Sequence, residues 1–254
     1  MFIFAAAALG LILGSFLNAL LFRYNTGKSV LRGRSRCMHC GHALSILDLV
    51  PLFSYLYLRG KCRYCRSRIS LQYPIVEASA AALSVLVYLQ NPEPMQFALG
   101  LAVWLTLLFI VVYDLRHQII PWSASGLLAA LALIQIFNFQ FSIFNLLAGP
   151  ALAAPLLLIS LLSRGRWMGW GDGVLQLGLG WLLGLTAGLT AFVLAFWTGA
   201  IVGVLLILWG RGLPAGRQVT MKSEVPLAPF LIFGAACAYF LHVDFFQTLT
   251  ALFF

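Results

Sequence analysis

The sequence predicts an all-α polytopic membrane protein of about eight transmembrane helices, with a small cytoplasmic four-cysteine, zinc-type loop domain after the first helix. Three observations predict it. Hydrophobic residues make up 62% of the chain and charged residues only 9%, too few polar side chains to cover a soluble core. Apolar runs long enough to cross a bilayer as helices recur along the chain. The basic residues are concentrated between those runs: ten of the sixteen Lys and Arg lie between Arg23 and Tyr73, against one acid, Asp48.

The first run, Phe2–Phe22, has no basic residue ahead of it and no small-residue cleavage site leading to a polar start. It reads as a retained span rather than a signal peptide. After the basic loop come Ile75–Gln90, Gln96–Tyr113, Trp122–Phe139, Ile143–Leu162, Val174–Leu185, Leu189–Trp209 and Leu227–Leu241. The sixth run is brief for a full crossing, and only the weakly polar Thr186, Ala187 and Gly188 separate it from the seventh. With eight spans, all sixteen basic residues fall on one side; beyond the loop these are Arg116, Arg164, Arg166, Arg211, Arg217 and Lys222. The opposite side holds Glu93 and Asp244. The positive-inside rule makes the basic side cytoplasmic. That bias accounts for the loop without nucleic acid, which is not expected as a partner; the lipid bilayer is.

The loop carries Cys37-Met38-His39-Cys40 and, after 21 intervening residues, Cys62-Arg63-Tyr64-Cys65. Two C-x2-C knuckles each present a pair of sulfurs, and a tetrahedral zinc ion joins them. In a reducing cytoplasm the thiols stay available as ligands. A redox-active dithiol pair and a site that has lost its metal remain open as alternatives. His39 and His42 read as solvated loop histidines, and Cys237 as a small buried apolar residue.

Two acids stand at the cytoplasmic ends of spans, 58 residues apart: Asp114 in VVYDLRHQIIP and Asp172 in MGWGD. Taken singly, Asp114 is open to being an interfacial charge paired with Arg116, and Asp172 to being a helix N-cap. Taken together, paired carboxylates in a partly dry site titrate as a unit, one acting as base toward water and the other as acid. Gly169 and Gly171 lack a Cβ, which lets another backbone come close to Asp172. Among the acids Glu77, in YPIVEASAA, is the other that reads as buried; it either pairs with an arginine or lines a second site.

At these residues the chain resembles the bacterial type IV prepilin peptidases. GSFLNALLFR (Gly14–Arg23) is similar to the opening span of that family, and Ser35–Glu77 to its cytoplasmic cysteine domain. YDLRHQIIP (Tyr113–Pro121) and MGWGD (Met168–Asp172) resemble the segments that hold its two aspartates, and VPLAPFLIFGA (Val225–Ala235) resembles its last block. The resemblance implies an aspartic endopeptidase of the bacterial inner membrane. Such an enzyme cuts the basic leader from type IV prepilins or type II secretion pseudopilins at the cytoplasmic face. It then methylates the new N-terminus with S-adenosylmethionine. Carried over by residue, Asp114 and Asp172 are the catalytic pair, and Cys37, Cys40, Cys62 and Cys65 hold a structural zinc. Glu77 is a candidate for the methyltransferase site. The implied domains are a first helix at 1–22, the cysteine domain at 23–73 and a GxGD peptidase domain at 74–254. Two positions depart from the family pattern: Val174 stands where a lysine is usual, and Trp122 where an aspartate or asparagine is common.

Overall fold

The computed structural model describes residues 2–27, 29, 35–139, 141–210 and 226–245. The basic residues Lys28, Arg32, Arg34, Arg211, Arg217 and Lys222, on which part of the predicted orientation rests, lie outside them, as does Val225. Among the described residues the chain is helical, with two isolated bridges and no strand. The helices are α1 (Phe2–Arg23), the short α2 (Phe53–Tyr57), α3 (Gln72–Gln90), α4 (Pro94–His117), α5 (Trp122–Phe139), α6 (Ile143–Leu162), α7 (Trp170–Leu183), α8 (Leu185–Gly210) and α9 (Ala228–Phe240). Each of the eight predicted spans has its helix. Six of them (α1, α3, α4, α5, α6 and α8) are long and apolar enough to cross a membrane. α7, with 14 residues, and α9, with 13, are shorter.

Two predicted boundaries move. α7 starts at Trp170 rather than Val174, so Asp172 lies inside its first turn. The break between the sixth and seventh spans falls at Gly184 rather than at Thr186–Gly188. Gly184 takes φ 77°, a conformation that only glycine adopts without cost, and the helix restarts at Leu185.

The chain divides into two compact units, residues 1–109 and 110–254. In the first, α1 packs on α3 through Gly10 and Gly14. A Cβ at Gly10 would lie 2.6 Å from the Ala80 carbonyl oxygen, and one at Gly14 would lie 2.8 Å from the Glu77 Cα. Small residues four apart let two membrane helices approach to backbone contact, where dispersion and interhelical hydrogen bonds hold them. Those bonds are present: the Ser84 hydroxyl donates to the Ala6 carbonyl at 2.7 Å, and the Asn18 amide donates to the Tyr73 carbonyl at 3.1 Å.

In the second unit α7 is the hub, packed by α5 and α6. Its side toward them is lined with glycine. A Cβ at Gly178 would meet Leu128 of α5 at 2.9 Å, one at Gly180 would meet the Gly149 Cα of α6 at 2.8 Å, and Gly173 abuts Leu157. α6 carries Pro150 within its length. Proline has no N–H, so the carbonyl four residues back, Leu146, loses its helical donor. The Trp181 indole of α7 donates to that carbonyl at 2.9 Å.

Candidate active site and metal centre

Both aspartates belong to the second unit. Asp114 sits in the last turn of α4 and is 3% exposed. Its carboxyl accepts the backbone N–H of Ala228, the first residue of α9. A helix N-terminus offers unpaired amides and a positive dipole end, and α9 turns its own toward this carboxylate. The Oδ2 atom of Asp114 is buried with no hydrogen-bond partner. A buried acceptor left open beside an otherwise satisfied one is available for a water or a substrate group.

Asp172 approaches from α7. The N-cap is Gly169 and Asp172 is the third residue of the helix, so it does not cap α7 from the N-cap position. Its carboxylate instead meets the Gly169 amide and lies within electrostatic reach of Asp114. The first turn of α7 is held from two sides. Ser160 of α6 lies at 3.1 Å from the Met168 carbonyl oxygen and 3.2 Å from that of Gly169. Ile120, from the segment leaving α4, packs so close to Gly171 that a Cβ there would be 2.8 Å from the Ile120 Cβ. What this glycine admits is thus the chain's own Ile120 side chain, and the contact ties the segment after Asp114 to the segment that carries Asp172. Two carboxylates so placed, one with an open buried oxygen, can activate a water and pass a proton to a leaving group.

Ala228, Ile120 and Ser160 were not anticipated from sequence. Ala228 contributes a backbone amide and Ile120 a packing surface, neither of which has a side-chain signature.

The cysteines lie in the first unit, and their two knuckles repeat one another at an offset of 25 residues. Cys37 N–H donates to the His42 carbonyl at 2.9 Å, as Cys62 N–H donates to Ser67 at 2.8 Å. Gly41 donates to Cys37 at 2.9 Å, as Arg66 donates to Cys62 at 3.0 Å; Leu44 donates to Ser35 at 2.9 Å, as Ile69 donates to Gly60 at 2.8 Å. The four Sγ atoms of Cys37, Cys40, Cys62 and Cys65 all lie within 4.8 Å of one another, with Cys37 and Cys65 at 3.8 Å. A tetrahedral ion with metal–sulfur bonds of about 2.3 Å sets neighbouring sulfurs about 3.8 Å apart, so the cluster could hold a metal such as zinc. The Ser67 hydroxyl lies 3.1 Å from the Cys65 sulfur.

Electrostatics divide the thiols. The Cys40 and His39 amides lower Cys37 to about 6. The Ser67 hydroxyl and amide lower Cys65. Cys40 rises to about 11: the His42 amide pulls it down, but desolvation and the neighbouring thiols outweigh that pull. Beside the knuckles, burial pushes the Asp48 carboxyl up, yet the Ser45 hydroxyl and amide and the Arg63 guanidinium, 2.7 Å away, hold it below its usual range. His39 and His42 are exposed, His42 lying against the Tyr64 ring.

Glu77, on α3, is 7% exposed. It accepts the Leu52 amide at 2.8 Å and lies beside Ser15; no arginine pairs with it among the described residues. The Asn18 Oδ1 atom, on the same stretch of α1 as Ser15, is buried and without a partner.

The chain matches known proteins over most of its length. Residues 8–91 match the family model described as the bacterial peptidase A24 N-terminal domain, and residues 99–204 match the type IV leader peptidase family. A prepilin leader peptidase/N-methyltransferase of Myxococcus xanthus is 34% identical over 86% of this chain and 66% of its own length. One from Dichelobacter nodosus is 32% identical over 78% of this chain and 70% of its own. One from Bacillus subtilis is 29% identical over 91% and 90%. No solved structure gives a significant match.

Proposed function

The chain belongs to the type IV leader peptidase family, and we propose that it is a membrane-embedded aspartic endopeptidase that removes the basic leader of prepilins and N-methylates the new N-terminus. The observation that carries the cutting activity is the pairing of Asp114 with Asp172 beside one open buried carboxylate oxygen. One carboxylate takes a proton from water as it attacks the scissile carbonyl. The other gives a proton to the departing amine, and the Ala228 amide of α9 and the Gly169 amide at the N-cap of α7 support negative charge on the pair.

The multi-pass chain lies in the bacterial inner membrane. The distribution of its basic residues supports a cytoplasmic cysteine loop and cytoplasmic aspartates. Prepilins are the substrates, with type II secretion pseudopilins in the same class. Cys37, Cys40, Cys62 and Cys65 would hold a structural zinc, which would clamp the two knuckles together. S-adenosylmethionine supplies the methyl group when bound. Glu77 and the unpartnered Asn18 Oδ1 offer buried acceptors suited to its ammonium group. The 1–22, 23–73 and 74–254 division assigns clamping to the middle segment and cutting to the last.

The test is incubation of the purified, reconstituted chain with a prepilin and S-adenosylmethionine, followed by mass analysis. The expected product has lost its leader and gained one methyl group. Intact prepilin after exhaustive incubation with a folded enzyme would overturn the reading.

A further inference from the structure

Between the two knuckles the chain turns its apolar residues outward. Ile46 and Leu47, in a single-turn 3₁₀ helix, are 84% and 67% exposed. In α2, Phe53, Leu56 and Tyr57 share one helical face by their spacing and are 67%, 71% and 82% exposed. A small loop domain would ordinarily fold such a stripe inward. A contiguous exposed apolar face marks a surface that something covers.

Two further observations say what covers it. The first is depth. Leu52, which joins the two short helices, donates its N–H to Glu77, in the second turn of membrane-spanning α3. The stripe is therefore tethered at the membrane end of α3 rather than held out in solution. Leu52 adopts φ 59° and ψ −48°, a costly conformation for a leucine, so the tether is kept against backbone strain. The second is charge. Arg59, Lys61, Arg66 and Arg68 follow directly and are exposed, while Asp48, the one acid of the cysteine loop, is taken by Arg63. An apolar face next to exposed cations fits an anionic bilayer surface: the apolar side chains enter the headgroup region and the cations meet phosphate. A prepilin is a poorer occupant, because its basic leader would approach those same cations.

We propose that Ile46–Tyr57 is an interfacial wedge that seats the cysteine domain on anionic lipid. The stripe is insertion surface, the basic residues select the lipid, and the Leu52–Glu77 hydrogen bond sets the depth.

The test uses the full chain in phosphatidylethanolamine vesicles with or without phosphatidylglycerol, with photoreactive benzoylphenylalanine introduced at Tyr57. Lipid adducts should dominate, rise several-fold when phosphatidylglycerol is present, and fall back at high salt. Adducts to added prepilin, adducts to another part of the chain, or a yield indifferent to phosphatidylglycerol would overturn the proposal. A second measurement guards against a folding artefact. The double variant Phe53→Ser with Leu56→Ser should keep its metal content, yet exchange backbone hydrogens across 46–57 several-fold faster in anionic vesicles and no faster in detergent. Unchanged exchange in the vesicles would overturn the proposal equally.

Discussion

The aspartate pair and the cysteine cluster are assembled in opposite ways. Each cysteine knuckle is made by its own turn, with hydrogen bonds spanning no more than nine residues, and the second turn copies the first. The aspartates instead arrive on different helices. Their surroundings come from α6, from α9 and from the segment after α4. A centre built from local turns carries its geometry with it. A centre built from distant elements depends on how tightly those elements are keyed together. Damage to the first should therefore stay local and cost metal and stability, whereas damage to the second should cost catalysis while the fold survives.

The sharpest way to break that contrast is to neutralise the pair. Asp114→Asn and Asp172→Asn should each lower leader cleavage by about 10²–10⁴-fold, the usual worth of a positioned acid or base, with no loss of folded protein. Both variants should still methylate a pilin supplied already cut. A folded variant that cleaves near the native rate removes that residue from the pair, and one that fails on the cut pilin shows the two activities share a site.

The keying itself is tested at Gly171. Gly171→Val pushes against Ile120 and should lower cleavage by roughly 100-fold, as misplacement of a catalytic group by about 1 Å does. Gly169→Ala has more room, its Cβ meeting the Asp172 Oδ2 atom at 3.4 Å, and should change little. Equal kinetic effects at the two glycines would show that close packing at Gly171 does not position Asp172.

On the cysteine side the expected effects are smaller and graded. Ligand thiols must lose their protons, so metal affinity falls with pH. Cys40, near 11, stays protonated through neutrality and should make apparent zinc affinity rise about tenfold per pH unit over that range. Cys37, near 6, adds to the slope only in more acidic solution. Competition with a chromophoric chelator across pH measures this, and a flat profile at neutral pH contradicts the thiol assignment. The smallest effect separates the two knuckles. Gly41 and Arg66 occupy the same place in the repeat, at φ 70° and 59°. Arg66→Gly should raise the stability of the loop by about 0.5 kcal/mol, and Gly41→Arg should lower it by about 1 kcal/mol, as read from the melting of the metal-loaded protein.

What was legible in the sequence follows the same division. The knuckles could be read from spacing because turns are local, and the apolar runs placed α5 at Trp122 and α6 at Ile143, where Ser142 accepts the Phe144 amide. The first turn of α7 could not be read. Its two glycines are poor helix formers, and Ser160 and Ile120, from distant positions, brace it. The Ala228 amide at Asp114 was illegible for a deeper reason: every residue but proline has such an amide, and only the approach of α9 makes this one matter.

Pro150 and Trp181 have a consequence for how the protein is made. A carbonyl stripped of its helical donor costs several kcal/mol in hydrocarbon, so α6 cannot settle in lipid by itself without leaving Leu146 unpaired. The group that satisfies it emerges from the ribosome 35 residues later. Pairing with α7 therefore removes a cost that α6 alone would carry in lipid, so the two helices are stable in the bilayer as a hairpin before α6 is stable by itself.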